Sequence, residues 1–358
     1  MRVLYDGFVS PEPRSGIERY FTMLVMNMPE NVEVSCSVRS GRRRGQIGIH
    51  EVDSPPFPLF RPRRFCGFLN KMCWLSREFD ILHWVHYSPS QIAERLRDEG
   101  IPYVVTVHDL IHEIYGAPNG LLDRQARQRS YDQASAIICV SDNTRKDLLK
   151  EYELDADKVH VVHHGSSIQN TSSSEVSHHQ AQYFLYVGPR SGYKNFPALF
   201  PGLKAVLVKY PQIKLRIVGN FLSEEEKAEI KQFGLREMVI EEGRVDDDRL
   251  SQLYRSAIAL LHPSLHEGFG IPLVEAMSCG TVPIATHSTC VPEVVGDAGI
   301  HVDPSRVEDG FRDAMLELLS DPNYREHCLS ASRERAKAFS WECAASKTME
   351  IYSKVLNK

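Results

Sequence analysis

Residues 258–285 read IALLHPSLHEGFGIPLVEAMSCGTVPIA. The apolar runs 258–261 and 282–285 have the length of buried strands. Between them, Gly268 and Gly270 let the backbone approach neighbouring atoms closely, and Pro272 suits the first position of a helix. Strand, glycine loop, helix and strand in this order form a parallel unit, because parallel strands need a crossover between them.

The same alternation runs outward in both directions. Towards the C-terminal side of the chain's middle, strands are expected at 183–187, 215–218 and 238–241. In the first half they are expected at 2–6, 32–38, 81–85, 103–107, 136–140 and 159–163. Ile17, Tyr20, Phe21, Leu24, Val25 and Met28 fall on one face of a helix after the first strand, and Ser141 reads as an N-cap. The segment 166–182, SSIQNTSSSEVSHHQAQ, is polar and serine-rich, as a linker would be. The expected division is a first domain over 1–165, a linker over 166–182, a second domain over 183–338 and a terminal helix over 339–358. Trp341, Ala345, Thr348, Tyr352 and Val355 give that helix an apolar stripe, which is expected to cross back onto the first domain. The fold class is therefore α/β, with two Rossmann-like, doubly wound parallel sheets.

Composition removes other classes. A chain of 358 residues holds roughly two domains. With 42 basic against 47 acidic side chains the net charge is -5, so no global field draws it onto nucleic acid. Eight cysteines without a Cys-x-x-Cys pair argue for reduced thiols and a cytoplasmic compartment. No apolar run approaches the roughly 18 to 20 residues that span a bilayer, and no signal peptide pattern opens the sequence. Ser15-Gly16 stands where a dinucleotide fold would carry Gly-x-Gly-x-x-Gly, and there is no P-loop, which disfavours hydride transfer and nucleotide hydrolysis.

The chemistry-bearing residues suit phosphate or polarised sugar hydroxyls. The helix start near Gly270 offers backbone N–H groups and a positive dipole end. Glu267 in the loop and Glu275 in the first turn are expected to face one crevice, where carboxylates hold hydroxyls. Arg190 and Lys194, in VGPRSGYKN after the strand 183–187, can neutralise a leaving nucleoside diphosphate. Asp155, Asp157 and Asp246 to Asp248 sit at helix starts and read as caps rather than metal ligands.

The spacing of Glu267 and Glu275 within HEGFGIPLVEAMSCG resembles the hallmark of the retaining glycosyltransferases of family 4, which have the GT-B fold. Thr281 to Ala285, Val291-Pro292-Glu293-Val294-Val295, Ser15 to Tyr20, Thr106-Val107-His108-Asp109, Val140-Ser141 and Phe339-Ser340-Trp341 are also similar to that family's motifs. The resemblance implies two domains facing a central cleft and a nucleotide-sugar donor, with neither metal nor cofactor. It implies that Arg190 and Lys194 hold the diphosphate, with a backbone N–H at Gly16 facing it. Glu275 would hold the ribose. Glu267, with the N–H groups around Gly268, Phe269 and Gly270, would hold the donor sugar, and His108 would sit beside the reacting sugar. The backbone at Arg244 and Val245 would contact the base. Tyr193 stands where many members have Arg, which makes Arg190 the expected second cation.

The activity so implied is retaining hexosyl transfer, with a GDP-mannose-type donor suggested by Gly-Tyr-Lys-Asn at 192–195. The acceptor is a glycan or lipid-linked glycan of a bacterial surface polysaccharide. A sugar-nucleotide epimerase of the same fold, or an inactive glycan-binding scaffold, are the alternatives. Arg39, Arg42, Arg43, Arg44, Arg61, Arg63 and Arg64 interleave with Phe57, Phe60, Phe65 and Phe68. That cluster reads either as a solubilising loop or as a cationic-aromatic face for an anionic membrane surface at the inner side of the cell membrane.

Overall fold

The computed structural model describes residues 1–9, 16–38, 49–51, 79–84, 100–116, 123–168 and 182–357. The basic-aromatic cluster 39–68 lies outside the described residues apart from its strand 49–51, and so does most of the serine-rich segment. The chain divides into two compact units, Met1–Gly165 with Ser340–Lys358, and Ser166–Phe339.

The first unit is a seven-stranded sheet of β1 (Arg2–Val9), β2 (Glu33–Val38), β3 (Ile49–Glu51), β4 (Ile81–Trp84), β5 (Tyr103–Val107), β6 (Ala136–Cys139) and β7 (Val159–Val161). The order is β3-β2-β1-β4-β5-β6-β7, and every pairing is parallel. Central strands β4, β5 and β6 are buried at every position, as continuous apolar runs covered on both faces must be. Alternation then sorts their side chains. Val3, Tyr5, Val104 and Ile138 join one core with Tyr20, Phe21 and Leu24 of the helix Gly16–Met26. Leu4, Val105, Ile137 and Cys139 join the other, with Tyr131, Leu148 and Tyr152.

The helix Trp341–Leu356 closes the first of these cores with Trp341, Ala344, Ala345, Ile351 and Tyr352. Its start passes so near Gly165 that a Cβ there would lie 2.3 Å from the Trp341 nitrogen. Only glycine fits such an approach. A buried polar string ties the helix to the sheet: the Tyr352 hydroxyl meets that of Tyr5 at 3.0 Å and Nδ1 of His83, whose Nε2 lies 2.7 Å from the Thr106 hydroxyl. Burial, helped by the neighbouring His108, lowers the His83 pKa from 6.5 to about 3.

The second unit is a six-stranded parallel sheet of β8 (Tyr183–Val187), β9 (Lys214–Val218), β10 (Val239–Gly243), β11 (Ala259–His262), β12 (Val282–Thr286) and β13 (Ile300–Val302), in the order β10-β9-β8-β11-β12-β13. Phe184, Leu215, Ile217, Ile284 and Val302 pack with Phe196, Phe200, Leu203, Phe311 and Met315 into its core. Capping follows the sequence: the Ser141, Asp155 and Asp246 side chains accept from the backbone N–H of Thr144, Asp157 and Arg249. Strands β3 and β13, three residues each, are too short for periodicity to mark and were not expected. Strands β10 and β11 begin one residue later than expected and run past the expected ends, which puts His262 at the C-terminal end of β11.

Candidate functional site

The strand order of the second unit reverses between β8 and β11, where Leu185 and Leu260 pair. Open α/β sheets bind ligands beyond the C-terminal ends of the strands at such a switch point. The loops that leave these two strands carry Lys194 and Glu267. They are joined by the backbone, with Leu265 N donating to the Tyr193 carbonyl at 2.8 Å.

Here Lys194 Nζ donates to Glu267 Oε1 at 2.7 Å, and His262 Nε2 lies 3.0 Å from the same oxygen. The Glu267 backbone N–H donates to the Thr289 hydroxyl at 3.0 Å, which fixes the loop. Burial alone would push the Glu267 carboxyl up. The Lys194 ammonium and the His262 ring outweigh it, and the pKa falls from 4.5 to about 2. A carboxylate ionised at neutral pH thus sits beside an ammonium whose other two N–H donors lie outside that bond.

The loop ends at Gly270, which takes φ 81 and N-caps the helix Ile271–Ser278. Left-handed backbone of this kind is strained for any side chain, and a Cβ would also press on Leu273 at 2.8 Å. The N–H groups at that helix start are a second source of positive potential. Two details correct the sequence reading. Pro272 is the second helical residue rather than the first, and Glu275 lies in the second turn, since the first turn holds no acidic residue. Buried Glu275 accepts a hydrogen bond from the Tyr254 hydroxyl at 3.1 Å. Phe269 is buried against the Phe339 ring at 5.8 Å, and Gly268 is part of the same loop.

Arg190, the expected second cation for a diphosphate, is buried, and its guanidinium is engaged within its own unit. Nε and Nη2 donate to the two carboxylate oxygens of Glu226 at 2.7 and 3.1 Å, while Nη1 and Nη2 donate to the carbonyls of Asn220 and Phe221 at 2.9 and 3.2 Å. All three nitrogens are engaged, and withdrawing them would strand a carboxylate. Arg190 is a clamp. Arg244, at the end of β10, is exposed and donates to the Asn220 side chain at 3.1 and 3.2 Å, with Val245 half-buried beside it.

In the first unit, His108 is buried just beyond the C-terminal end of β5. It packs edge-on against Tyr20 at 5.0 Å and 6.0 Å from the His164 ring. Gly16 is the exposed first residue of its helix. Sequence reasoning missed His262, Thr289 and Tyr254. His262 alone carried a signal, as the polar residue closing an apolar run. Thr289 and Tyr254 are marked only by what they touch.

The family model described as Glycosyl transferases group 1 matches residues 167–335, and that described as Glycosyltransferase Family 4 matches residues 14–169. O-antigen chain mannosyltransferase B of Escherichia coli is 28% identical over 342 residues, which cover 90% of this chain and 86% of that one. The serotype-specific mannosyltransferase WbdA of Escherichia coli is 26% identical over 283 residues, 72% of this chain but only 34% of WbdA. The solved structure of Anabaena Alr3699/HepE in complex with UDP and glucose aligns with a TM-score of 0.77 at 18% identity, covering 99% of this chain and 100% of that one. Two parallel α/β units of this kind make a two-domain GT-B fold. The chain belongs to the group 1 glycosyltransferases.

Proposed function

We propose that the protein moves a hexosyl group, mannose carried on GDP, to a glycan or lipid-linked acceptor of a lipopolysaccharide or O-antigen type polysaccharide, with retention of anomeric configuration and without a metal ion. The observation that carries this reading is the buried Lys194–Glu267–His262 cluster at the switch point, next to the helix start at Ile271. The mannosyltransferases named above support the choice of sugar.

A departing diphosphate leaves with charge. Lys194 and the N–H groups after Gly270 are placed to hold it, so that the low local dielectric works for the transition state. The Glu267 carboxylate fixes Lys194 and accepts from hydroxyls of the donor sugar. Glu275, oriented by Tyr254, takes the ribose hydroxyls. The acceptor attacks from the face the diphosphate leaves, and a phosphate oxygen takes its proton, so no protein nucleophile is required. Of the first unit, His108 is assigned to charge or hydroxyls of the reacting sugar and Gly16 to a backbone N–H for the diphosphate. Among the described residues no helix is long and apolar enough to cross a membrane. The proposed place of action is the cytoplasmic face of the cell membrane, approached through Arg42, Arg43, Arg44, Arg61, Arg63 and Arg64.

Purified protein incubated with a panel of sugar nucleotides and a mannose-terminated oligosaccharide acceptor, in the presence of EDTA and followed by proton NMR, tests the reading. The expected result is preferential release of GDP from GDP-mannose and an α-linked product. Failure to turn over or bind any sugar nucleotide, or a product of inverted configuration, overturns it.

A further inference from the structure

Arg190 does not stand idle as a clamp, because of what it clamps. The turn after β9 is pinned at every residue: Asn220 and Phe221 carbonyls by Arg190, Leu222 N by Glu241 Oε2 at 2.8 Å, and Ser223 N by Glu226 Oε2 at 2.7 Å. In the middle of this fixed backbone Phe221 is 70% exposed. Single exposed apolar side chains are ordinary on protein surfaces; what sets this one apart is how its backbone is held. Here two buried or half-buried ion-pairing groups and four backbone hydrogen bonds hold one large ring in water.

The ring is also held at its tip. A Cβ on Gly243 would lie 2.9 Å from Phe221 Cζ, so the ring's end rests on the bare backbone where β10 finishes, at φ 70. Beside it, Arg244 is tied to the Asn220 side chain. The result is an aromatic face, a guanidinium and the exposed backbone of residues 243–245 gathered at one edge of the sheet. Adjacent strands lie about 5 Å apart, so the ends of β9 and β10 are one to two strand spacings, roughly 5 to 10 Å, from the β8 loop that carries Lys194. That is the reach of a nucleoside measured from its phosphate to its base.

We propose that Phe221 is a stacking platform for the nucleobase of the sugar-nucleotide donor, that Arg190, Glu226 and Gly243 are the residues that position it, and that Arg244 covers the edge of the base. The inference rests on the proposed nucleotide-sugar donor and extends it to a residue that stacks on any base and so contributes affinity rather than hydrogen-bond readout. Stacking is tolerant of base identity, so preference among bases comes from the backbone of 243–245.

Isothermal titration of wild type, Phe221→Ala and Phe221→Trp with GDP, UDP, ADP and CDP, and with inorganic pyrophosphate, tests it. Phe221→Ala should raise the Kd of the preferred nucleoside diphosphate about 5- to 150-fold and leave that of pyrophosphate unchanged. Phe221→Trp should restore affinity, with its indole fluorescence quenched by nucleotide and not by pyrophosphate. Because the ring is exposed, thermal melting of both variants should follow wild type. Unchanged nucleotide affinity in Phe221→Ala, while wild type binds, overturns the platform and leaves the donor reading standing. Equal weakening of nucleotide and pyrophosphate overturns it as well. A wild type that binds no nucleoside diphosphate removes the donor reading and the platform with it.

Discussion

Replacing Lys194 with methionine keeps the length of the side chain and deletes its charge, leaving the Glu267 carboxylate buried with His262 alone. Side-chain exposures of 16% and 10% place the pair where water screens it poorly. The drop of the Glu267 pKa from 4.5 to about 2 corresponds to roughly 3 kcal/mol of preference for the ionised form in the folded protein. The Lys194 charge is the largest cause that lowers this pKa, followed by the His262 contacts, and stranding one partner of a buried pair is costly, so Lys194→Met should cost about 3 kcal/mol at neutral pH. For a unit of this size, that is a fall of about 6 to 12 °C in Tm. Glu267→Gln should cost less, since Lys194 can turn towards solvent, and the double variant should recover most of the loss of Lys194→Met because no charge remains buried. The sign with pH also follows. The wild-type contribution is complete above the unfolded carboxylate pKa and is lost as pH falls through 4.5 towards 2. In Lys194→Met burial raises the carboxyl pKa, so the deficit shrinks on acidification. Differential scanning calorimetry of the four proteins at several pH values reads the cycle. A Lys194→Met protein that melts with wild type, or a double variant whose loss is the sum of the two singles, would refute the reasoning.

Other outcomes follow from the same contacts. Arg190→Ala should lower stability by about 3 kcal/mol in urea denaturation, and Arg190→Lys should fail to restore it, since one ammonium cannot serve Glu226 and two carbonyls together. Glu275→Gln and Tyr254→Phe should raise the Kd for the nucleoside diphosphate about tenfold while kcat changes little, measured by titration and steady-state kinetics; a collapse of kcat at unchanged affinity would contradict the ribose assignment. His83, with its pKa lowered to about 3, stays neutral when folded but takes a proton below 6.5 when unfolded. Folding stability should therefore decline by about 1.4 kcal/mol per pH unit from this residue as pH drops from 6.5 towards 3, and His83→Gln should flatten that slope in chemical denaturation. Tyr352→Phe removes the hydroxyl shared by Tyr5 and His83 and should cost about 1 to 3 kcal/mol in the same assay.

The alternation of apolar runs with helical stripes made both sheets legible, because strands buried on two faces and helices buried on one leave local patterns. Caps at Ser141, Asp155 and Asp246 were legible for the same reason: each bonds to a backbone N–H two or three residues away. Lys194 and Glu267 were legible as chemistry and not as a pair. They are 73 positions apart and meet only because β8 and β11 are neighbours. The partner of Arg190 was not legible, because a cation after a strand looks the same whether it faces solvent or a carboxylate, and Glu226 lies 36 residues further on.

The amino-acid order by itself determined two parallel α/β units and the glycine loop with Glu267 that opens the helix at Ile271, since these depend on neighbours within a turn or two. The tertiary structure alone decided the strand order, the His262 and Thr289 contacts of the Glu267 loop, the inward turn of Arg190 and the exposed seat of Phe221. Those depend on which distant segments the sheet sets side by side, and a one-dimensional pattern carries no record of that adjacency.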